Sequence, residues 1–426
     1  MNKIHDVFHM LLCGFLFFSS VQGQRLYNLK TDDLNMIYYS STHSYIVPHL
    51  ARSFINTESF YKDFWDYEPS EQVTIFIEDF ADWSNGGASA VPRNFVYISI
   101  SPYMYILEVA PANERMSLLM NHELVHLMAV DKAAKRERFW RKVYHGKIQQ
   151  TSDNPLTMLY AYQTAPRKFS PRWYHEGIAV FMETWMSGGV GRALGAYDEM
   201  VFRTMVHDSA YIYNAVGLES EGTTIDFQVG ANNYLYGTRF FNYLGSQYGP
   251  EKLVQWVSRT ENSKRYFSKQ FKEVFGLSLD DEWSNWIAFE HDWPEANLKA
   301  LRKNPITQYR PIVTDKILGS VSRSFYNQDA EILYTAVKYP GQVAYIAAID
   351  VPSGKMKKMC DVKGASTYYT TNLLYDESAE LLFFTTDNYK YRDLNVVNIK
   401  TKKVTRLITD MRAGDLAWNA TDRSIW

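Results

Sequence analysis

The chain has 426 residues, 46% of them hydrophobic and 22% charged, with 31 tyrosines and 11 tryptophans. That is the composition of a globular protein with room for two or more packed cores. With 45 basic against 47 acidic side chains the net charge is −2, which gives no global reason to expect nucleic acid or an anionic membrane as partner.

Residues 1–23 read as a signal peptide. Lys3 and the free amine precede FHMLLCGFLFF, an apolar run too short to span a bilayer comfortably. Val21 and Gly23 then supply small residues at the −3 and −1 positions before Gln24. An uncleaved anchor is the alternative. Cys13 leaves with this segment and Cys360 stands alone, so the exported chain forms no internal disulfide and no thiolate zinc cluster. The expected location is periplasmic or extracellular, with no integral membrane segment after cleavage.

From Gln24 to about residue 110, LNMIYYS, QVTIFIEDF and NFVYISISP have the alternation of strands. Residues 43–65 fit a helix that starts near Pro48. From 112 to 303 helical spacing dominates, in MSLLMNHELVHLMAV, PRWYHEGIAVFMETW, YLYGTRFFNYLGSQYG, PEKLVQWVSR and LDDEWSNWIAFEHDW. Sheet followed by helices is an α+β order.

After KNPITQYRPIV the pattern turns to strands and turns. Glu331-Ile-Leu-Tyr aligns with Glu380-Leu-Leu-Phe, and Ile349-Asp-Val-Pro-Ser-Gly with Val397-Asn-Ile-Lys-Thr-Lys. LAWNATDRSIW parallels LLYDESAELLF and begins a third copy, at a spacing of about 43–49 residues. That is the period of a β-propeller blade, and an unrelated small β-domain is the alternative. Residues 306–426 would be two blades and the start of a third, short of the four or more that close a propeller. The expectation is therefore that the chain is the N-terminal part of a longer protein.

The chemistry concentrates in MNHELVHLMAV, residues 120–130. His122 and His126 lie one turn apart on one helix face and can converge on one ion. Glu123, one position along, can reach a water held by that ion. Zinc suits this set, since it accepts imidazole and carboxylate and leaves a position for water in catalytic sites. Two ordinary core histidines are the competing reading, but burying such groups without partners is costly. A second stretch, PRWYHEGIAVFMETW at 171–185, puts Glu176 beside the small residues Gly177 and Ala179, which would let it pack closely against the first helix.

The pair HExxH and Trp173-Tyr-His-Glu176-Gly177-Ile-Ala179 resembles the gluzincin zinc metallopeptidases, which include thermolysin and aminopeptidase N. Over roughly residues 24–300 the resemblance implies a zincin-like α+β domain, here residues 24–305. It implies one zinc per chain held by His122, His126 and Glu176, with Glu123 as general base. The 49 residues between His126 and Glu176 exceed the family's common interval. His175 is the rival ligand, and only one of two adjacent helical residues can face the metal. Tyr234, in NYLYGTRFFNYL, matches a helix that follows the site in such peptidases and would donate to the developing oxyanion. Tyr236 is its near alternative. Glu183, seven residues after Glu176, could orient a ligand histidine. NGGASAVPRNFVYIS falls where the family has an edge strand beside the zinc, on which an extended substrate could add as a strand. No acid occurs between Ala88 and Ile98 to grip a free α-amine, which argues against an aminopeptidase.

Three other signals carry less. GVGRALG at 189–195 is a turn on the rim of the cleft, KAAKRERFWRK at 132–142 is a solvated basic helix face, with a membrane or partner contact as the alternative, and Asn419-Ala-Thr fits a glycosylation acceptor. The expectation is an exported zinc peptidase that cleaves peptide or protein substrates within the chain and meets a protein partner through the propeller. The alternative is a catalytically silent metallopeptidase-like scaffold or a propeller binding protein.

Overall fold

A computed structural model describes residues 25–82, 85–101, 114–218, 227–314, 319–339, 341–364, 370–388 and 391–426. The expected signal segment lies outside them.

Alternation builds the first sheet. In β3 (Val73–Glu78) the side chains of Val73, Ile75 and Ile77 are buried and their neighbours are half-buried, the period of a strand with one face on a core. Around it stand β1 (Tyr27–Lys30), β2 (Leu34–Tyr38), β4 (Gly86–Ser89) and β5 (Phe95–Ser99) in the order β1-β2-β3-β5-β4. The pairs β2/β3 and β3/β5 are parallel, and the outer pairs β1/β2 and β4/β5 are antiparallel. Parallel strands need a crossover. Helix α1 (Val47–Trp65) makes the one from β2 to β3. It has Pro48 in its first turn, where the missing N–H costs nothing.

The helices that follow are α2 (Arg115–Asp131), α3 (Lys135–Val143), α4 (Leu156–Thr164), α5 (Arg172–Met186), α6 (Ala196–His207), α7 (Ala215–Leu218), α8 (Phe227–Tyr248), α9 (Pro250–Val257), α10 (Phe267–Phe275) and α11 (Leu279–Leu301). Sequence patterning misses α4, α6, α7 and α10. It also stops α11 at Trp293, whereas the helix continues through the buried Pro294. One core joins sheet and helices, from Met36, Ile75 and Ile98 through Phe54 and Leu127 to Trp173, Trp256, Trp283 and Trp286. No helix among the described residues is long and apolar enough to cross a membrane.

The C-terminal region is antiparallel sheet. Strands β6 (Ser320–Val321), β7 (Phe325–Asn327), β8 (Ile332–Lys338), β9 (Tyr345–Asp350) and β10 (Met356–Asp361) form one sheet, with β7 paired to β8 off the β10-β9-β8-β6 path. Strands β11 (Leu373–Asp376), β12 (Leu381–Asp387), β13 (Arg392–Asn398) and β14 (Val404–Ile408) form the next, and β15 (Trp418–Asn419) pairs with β16 (Ser424–Ile425). None of these sheets closes into a barrel or a propeller.

Their turns repeat as the aligned sequences do. Glu331, Glu380 and Arg423 hold equivalent left-handed positions, with φ of 52°, 54° and 57°. The side chains of Asn327 and Asp376 accept from the Ala330 and Ala379 amides at 2.7 and 3.3 Å. In the second turn of the first two copies, Asp350 accepts from Ser353 N and Asn398 from Thr401 N, both at 2.9 Å. These are short side-chain-to-backbone bonds that fix a turn locally.

The C-terminal sheets also touch the first domain. Asp82, buried after β3, accepts from the Arg392 amide at 2.6 Å and from Arg412 Nε at 3.0 Å. Arg412 Nη1 donates to Asp79 at 2.9 Å.

At the C-terminal end of α2, Asp131 gathers a buried polar cluster. It accepts from Lys147 Nζ at 2.7 Å, Ser70 N at 2.8 Å, Asn94 Nδ2 at 3.0 Å and Arg141 Nη1 at 3.2 Å. Burial alone would raise its carboxyl, but Lys147 and Arg141 outweigh it and bring it from 3.8 to about 2. A folded value below the unfolded one means the carboxylate stabilises fully above pH about 4 and loses that effect as pH falls through about 2. Asp131→Asn is expected to cost about 2 kcal/mol at pH 7. Urea denaturation at several pH values checks this, and the gap to the parent should shrink between pH about 4 and about 2.

Candidate metal centre

Helix α2 is fixed before it presents any chemistry. Glu114 caps its N-terminus, accepting from the Met116 and Ser117 amides at 3.1 and 2.6 Å, with its charge at the positive end of the helix dipole. In the middle, α1 grips Asn121. Thr57 donates to the Asn121 side-chain oxygen, and Tyr61 donates to its backbone carbonyl at 2.8 Å. His122 follows directly.

The Nε2 atoms of His122 and His126 lie 3.1 Å apart, and each is 3.3 Å from Glu176 Oε2 on α5. His122 Nδ1–H donates to Glu183 Oε2 at 2.7 Å. That bond puts the His122 proton on Nδ1 and turns a lone pair at Nε2 toward a carboxylate. Such a juxtaposition is repulsive unless a cation, proton or metal, is shared among the donors. Three donors on a tetrahedral zinc at ~2.0–2.1 Å stand about 3.4 Å apart, so the observed triangle fits that ion.

In a purely protonic state the same electrostatics operate. Burial lowers the His122 imidazole, yet the carboxylates of Glu183 and Glu176 hold it well above its usual value. Burial opposes ionisation of Glu176, yet His126 and His122 hold its carboxyl well below the usual range. Glu123 behaves oppositely, since burial pushes its carboxyl up and the imidazoles pull back less. The Glu123 carboxylate reaches the start of β4, the last strand of the sheet. A Cβ on Gly86 would sit 2.7 Å from Glu123 Oε1, so any side chain here would have to displace the Glu123 carboxylate.

Gly177 corrects the sequence reading. It packs against α8, not against α2. A Cβ there would fall 2.6 Å from Phe241 and 2.7 Å from the Gly237 backbone. A Cβ on Gly237 would in turn run into the Trp173 carbonyl oxygen.

This crossing places Tyr234 at the site. Burial first, then the Glu176 and Glu123 carboxylates, push the Tyr234 phenol well above the usual value. Its ring lies 6.2 Å from the His122 ring and nearly parallel to it. Tyr236 instead is buried against Phe202 and Trp286, and its hydroxyl accepts from the Tyr213 amide at 3.2 Å.

The structure also separates Glu176 from His175. The His175 ring donates from Nε2 to the Arg167 carbonyl at 3.1 Å. Burial pushes it down to about 4, so it is a neutral packing group. Glu183 takes the orienting position that its spacing suggested.

Two residues escaped the sequence reading. Arg172 Nε lies 3.6 Å from Glu176 Oε1, four residues earlier on the same helix, a spacing that could have revealed it. Arg192, from the GVGRALG turn, lies over the Tyr234 ring at 5.6 Å and pairs with Asp198 at 2.9 Å. No local signal connects it to Tyr234.

No protein-family model matches the chain, and no curated protein matches it.

Alanine for glycine in an unpacked helix normally gains up to about 1 kcal/mol. At Gly237 the sign should reverse. Gly237→Ala is expected to destabilise by about 1–3 kcal/mol, because the new methyl meets backbone rather than a movable side chain. A thermal or urea melt of the variant reads the sign directly.

Proposed function

We propose that this chain is an exported zinc-dependent peptidase of the gluzincin type. Its zincin-like domain would span residues 24–305, and the first blades of a β-propeller would follow over 306–426. The observation that carries this reading is the convergence of His122, His126 and Glu176 beside the Glu123 carboxylate. Those three side chains would hold one zinc, which when bound lowers the pKa of a water and polarises a substrate carbonyl.

The chain's own residues divide the remaining work. Glu123 would take the proton of the attacking water and return it to the leaving amine. Tyr234 would donate its hydroxyl to the substrate oxygen as charge builds there. Glu183 would keep the His122 ring in its ligating tautomer. The edge strand β4 offers backbone groups for an extended peptide to pair with. With no acid between Ala88 and Ile98 to hold an α-amine, cleavage within chains is favoured over removal of N-terminal residues. Glu123 also separates this reading from that of a silent scaffold, since a purely structural metal site has no use for it.

Metal analysis of purified protein, with hydrolysis of a denatured protein substrate, tests the proposal. One zinc per chain is expected, lost in Glu176→Ala and kept in His175→Ala. Glu123→Gln should keep the zinc and lose about 100-fold or more in activity. Glu183→Gln should weaken zinc binding about 10- to 100-fold. A parent protein that binds no zinc, or one whose zinc depends on His175 and not on Glu176, would sink it. Zinc with no hydrolysis would favour the scaffold.

A further inference from the structure

The first sheet carries, beside the candidate general base, a tyrosine that the proposed chemistry does not use. Successive residues of a strand point to opposite faces. In β4, Gly86 faces α2, where a Cβ would meet Glu123 and Leu119. Gly87 therefore faces the other side of the sheet. It stands opposite Tyr97 of β5, and the Tyr97 ring takes the room that a side chain would need. A Cβ on Gly87 would run into Tyr97 Cε1 and stand 2.7 Å from Cζ and 2.8 Å from the hydroxyl oxygen. The ring thus crosses from β5 over the backbone of β4, the last of the described strands in this sheet.

The surface around the ring is aromatic. Phe76 of β3 is the register partner of Tyr97 on its other side, and both are half-buried. Phe95, two residues before Tyr97 and hence on the same face, is 37% exposed. Glu78 shares this face but lies on β3, about 10 Å from β4. Its carboxylate accepts from Ser99 Oγ at 2.6 Å. Burial first, then the Glu123 and Glu78 carboxylates, push the Tyr97 phenol above its usual value. The ring is uncharged and stands in a negative field, a poor neighbour for an acidic side chain.

A peptide that adds to the outer edge of β4 brings its own alternation. The side chain opposite Gly86 points to the Glu123 face, and the one opposite Gly87 points to the Tyr97 face. Side chains of such a pair stand about 4.5–5.5 Å apart at Cβ. Gly87 offers none, so the Tyr97 ring is the neighbour that this substrate residue meets. We propose that Tyr97 is a specificity-determining residue, whose ring receives an aromatic side chain of the substrate residue paired with Gly87. Two rings in contact remove apolar area from water and hold a preferred geometry. The inference rests on the reading of the metal centre as a peptidase with β4 as its substrate strand. It adds which substrates are taken: chains with an aromatic residue at one fixed place beside the cleaved bond.

Short blocked peptides of Ala, Gly and Ser, with one phenylalanine moved through each position, test it on the mature chain from Gln24 loaded with zinc. Cleavage is expected to stay at a fixed distance from the phenylalanine. Serine, lysine or aspartate at that place should lower kcat/KM about 3- to 10-fold. Tyr97→Ala and Gly87→Ala should bring this ratio close to one while the zinc is kept. Tyr97→Phe should preserve the ratio, because the ring and not the hydroxyl makes the contact. Titration of the same peptides onto zinc-loaded Glu123→Gln reads the preference as a ratio of Kd, without turnover. Cleavage that ignores the phenylalanine, or follows it equally in folded Tyr97→Ala, overturns the proposal and leaves the peptidase reading intact. Binding that prefers phenylalanine through Tyr97, with no hydrolysis by the parent, keeps the subsite and sinks the peptidase. A chain that neither binds nor cleaves any of the peptides overturns both.

Discussion

The contact between Gly177 and Gly237 sets how closely α5 and α8 approach, and the metal centre inherits that distance. Ridge-and-groove packing ordinarily keeps helix axes 8–10 Å apart according to the side chains between them. Here backbone meets backbone. One position before Gly177, about 100° around the helix, Glu176 faces α2 and its histidines. Three positions before Gly237, Tyr234 lies one turn along α8, its ring 6.2 Å from that of His122 and its phenol under the influence of Glu176. A larger residue at either glycine would widen the crossing and carry the Tyr234 hydroxyl away from the carboxylate. The glycine of the Trp-x-x-Glu-Gly segment therefore acts on the site through a third helix.

The charges of this site are arranged differently from those at the other end of α2. Around Asp131, two carboxylates, Asp131 and Glu71, meet Lys147 and Arg141 together with several neutral donors, so the cluster is balanced and ties down the helix. Around His122, three buried carboxylates, Glu123, Glu176 and Glu183, face two imidazoles, and Arg172 stands half-exposed at the edge. Burying such a set costs more than burying an apolar one of equal volume. It persists because the surroundings over-determine it, through the Tyr61 bond to Asn121, the Glu114 cap and the Asp131 cluster. The excess negative charge is what a divalent cation would balance, and this supports the zinc proposal independently of motif spacing.

What the sequence made legible follows from how local each signal is. His122, Glu123 and His126 are placed by helical period alone, and the α2 geometry is as the spacing implied. Turn residues also act locally, which is why the aligned copies around Glu331 and Glu380 reappear as matching turns. The packing partner of Gly177 was not legible, because a glycine announces a close approach without naming which helix makes it. Helix α4 was missed because its exposed Leu156, Met158 and Leu159 blur the amphipathic pattern that helix recognition needs. The end of α11 was misjudged because Pro294 breaks helices in isolation, while in this core Glu290 one turn earlier is held by Arg239 at 2.8 Å and by Trp286 at 2.9 Å. Arg192 reaches Tyr234 only through tertiary structure.

The same distinction between local and tertiary signals applies to the C-terminal sheets. Their strands and turns can be read from sequence, but the place where they meet the first domain cannot, because Asp82 and Arg412 are 330 residues apart. That meeting point is the connection leaving β3, whose next strand is β4, beside Glu123. A buried carboxylate that accepts from the Arg392 amide and from Arg412 fixes its backbone more firmly than an exposed ion pair could. The connection is thus held at one end by the parallel core of the sheet and, near its middle, by another part of the chain. Asn85, just before Gly86, is tied to β5, its carbonyl accepting from the Ser99 amide at 3.0 Å. The β-rich region thus fixes the first part of the connection that leaves β3, and pairing with β5 fixes the strand closest to the candidate general base.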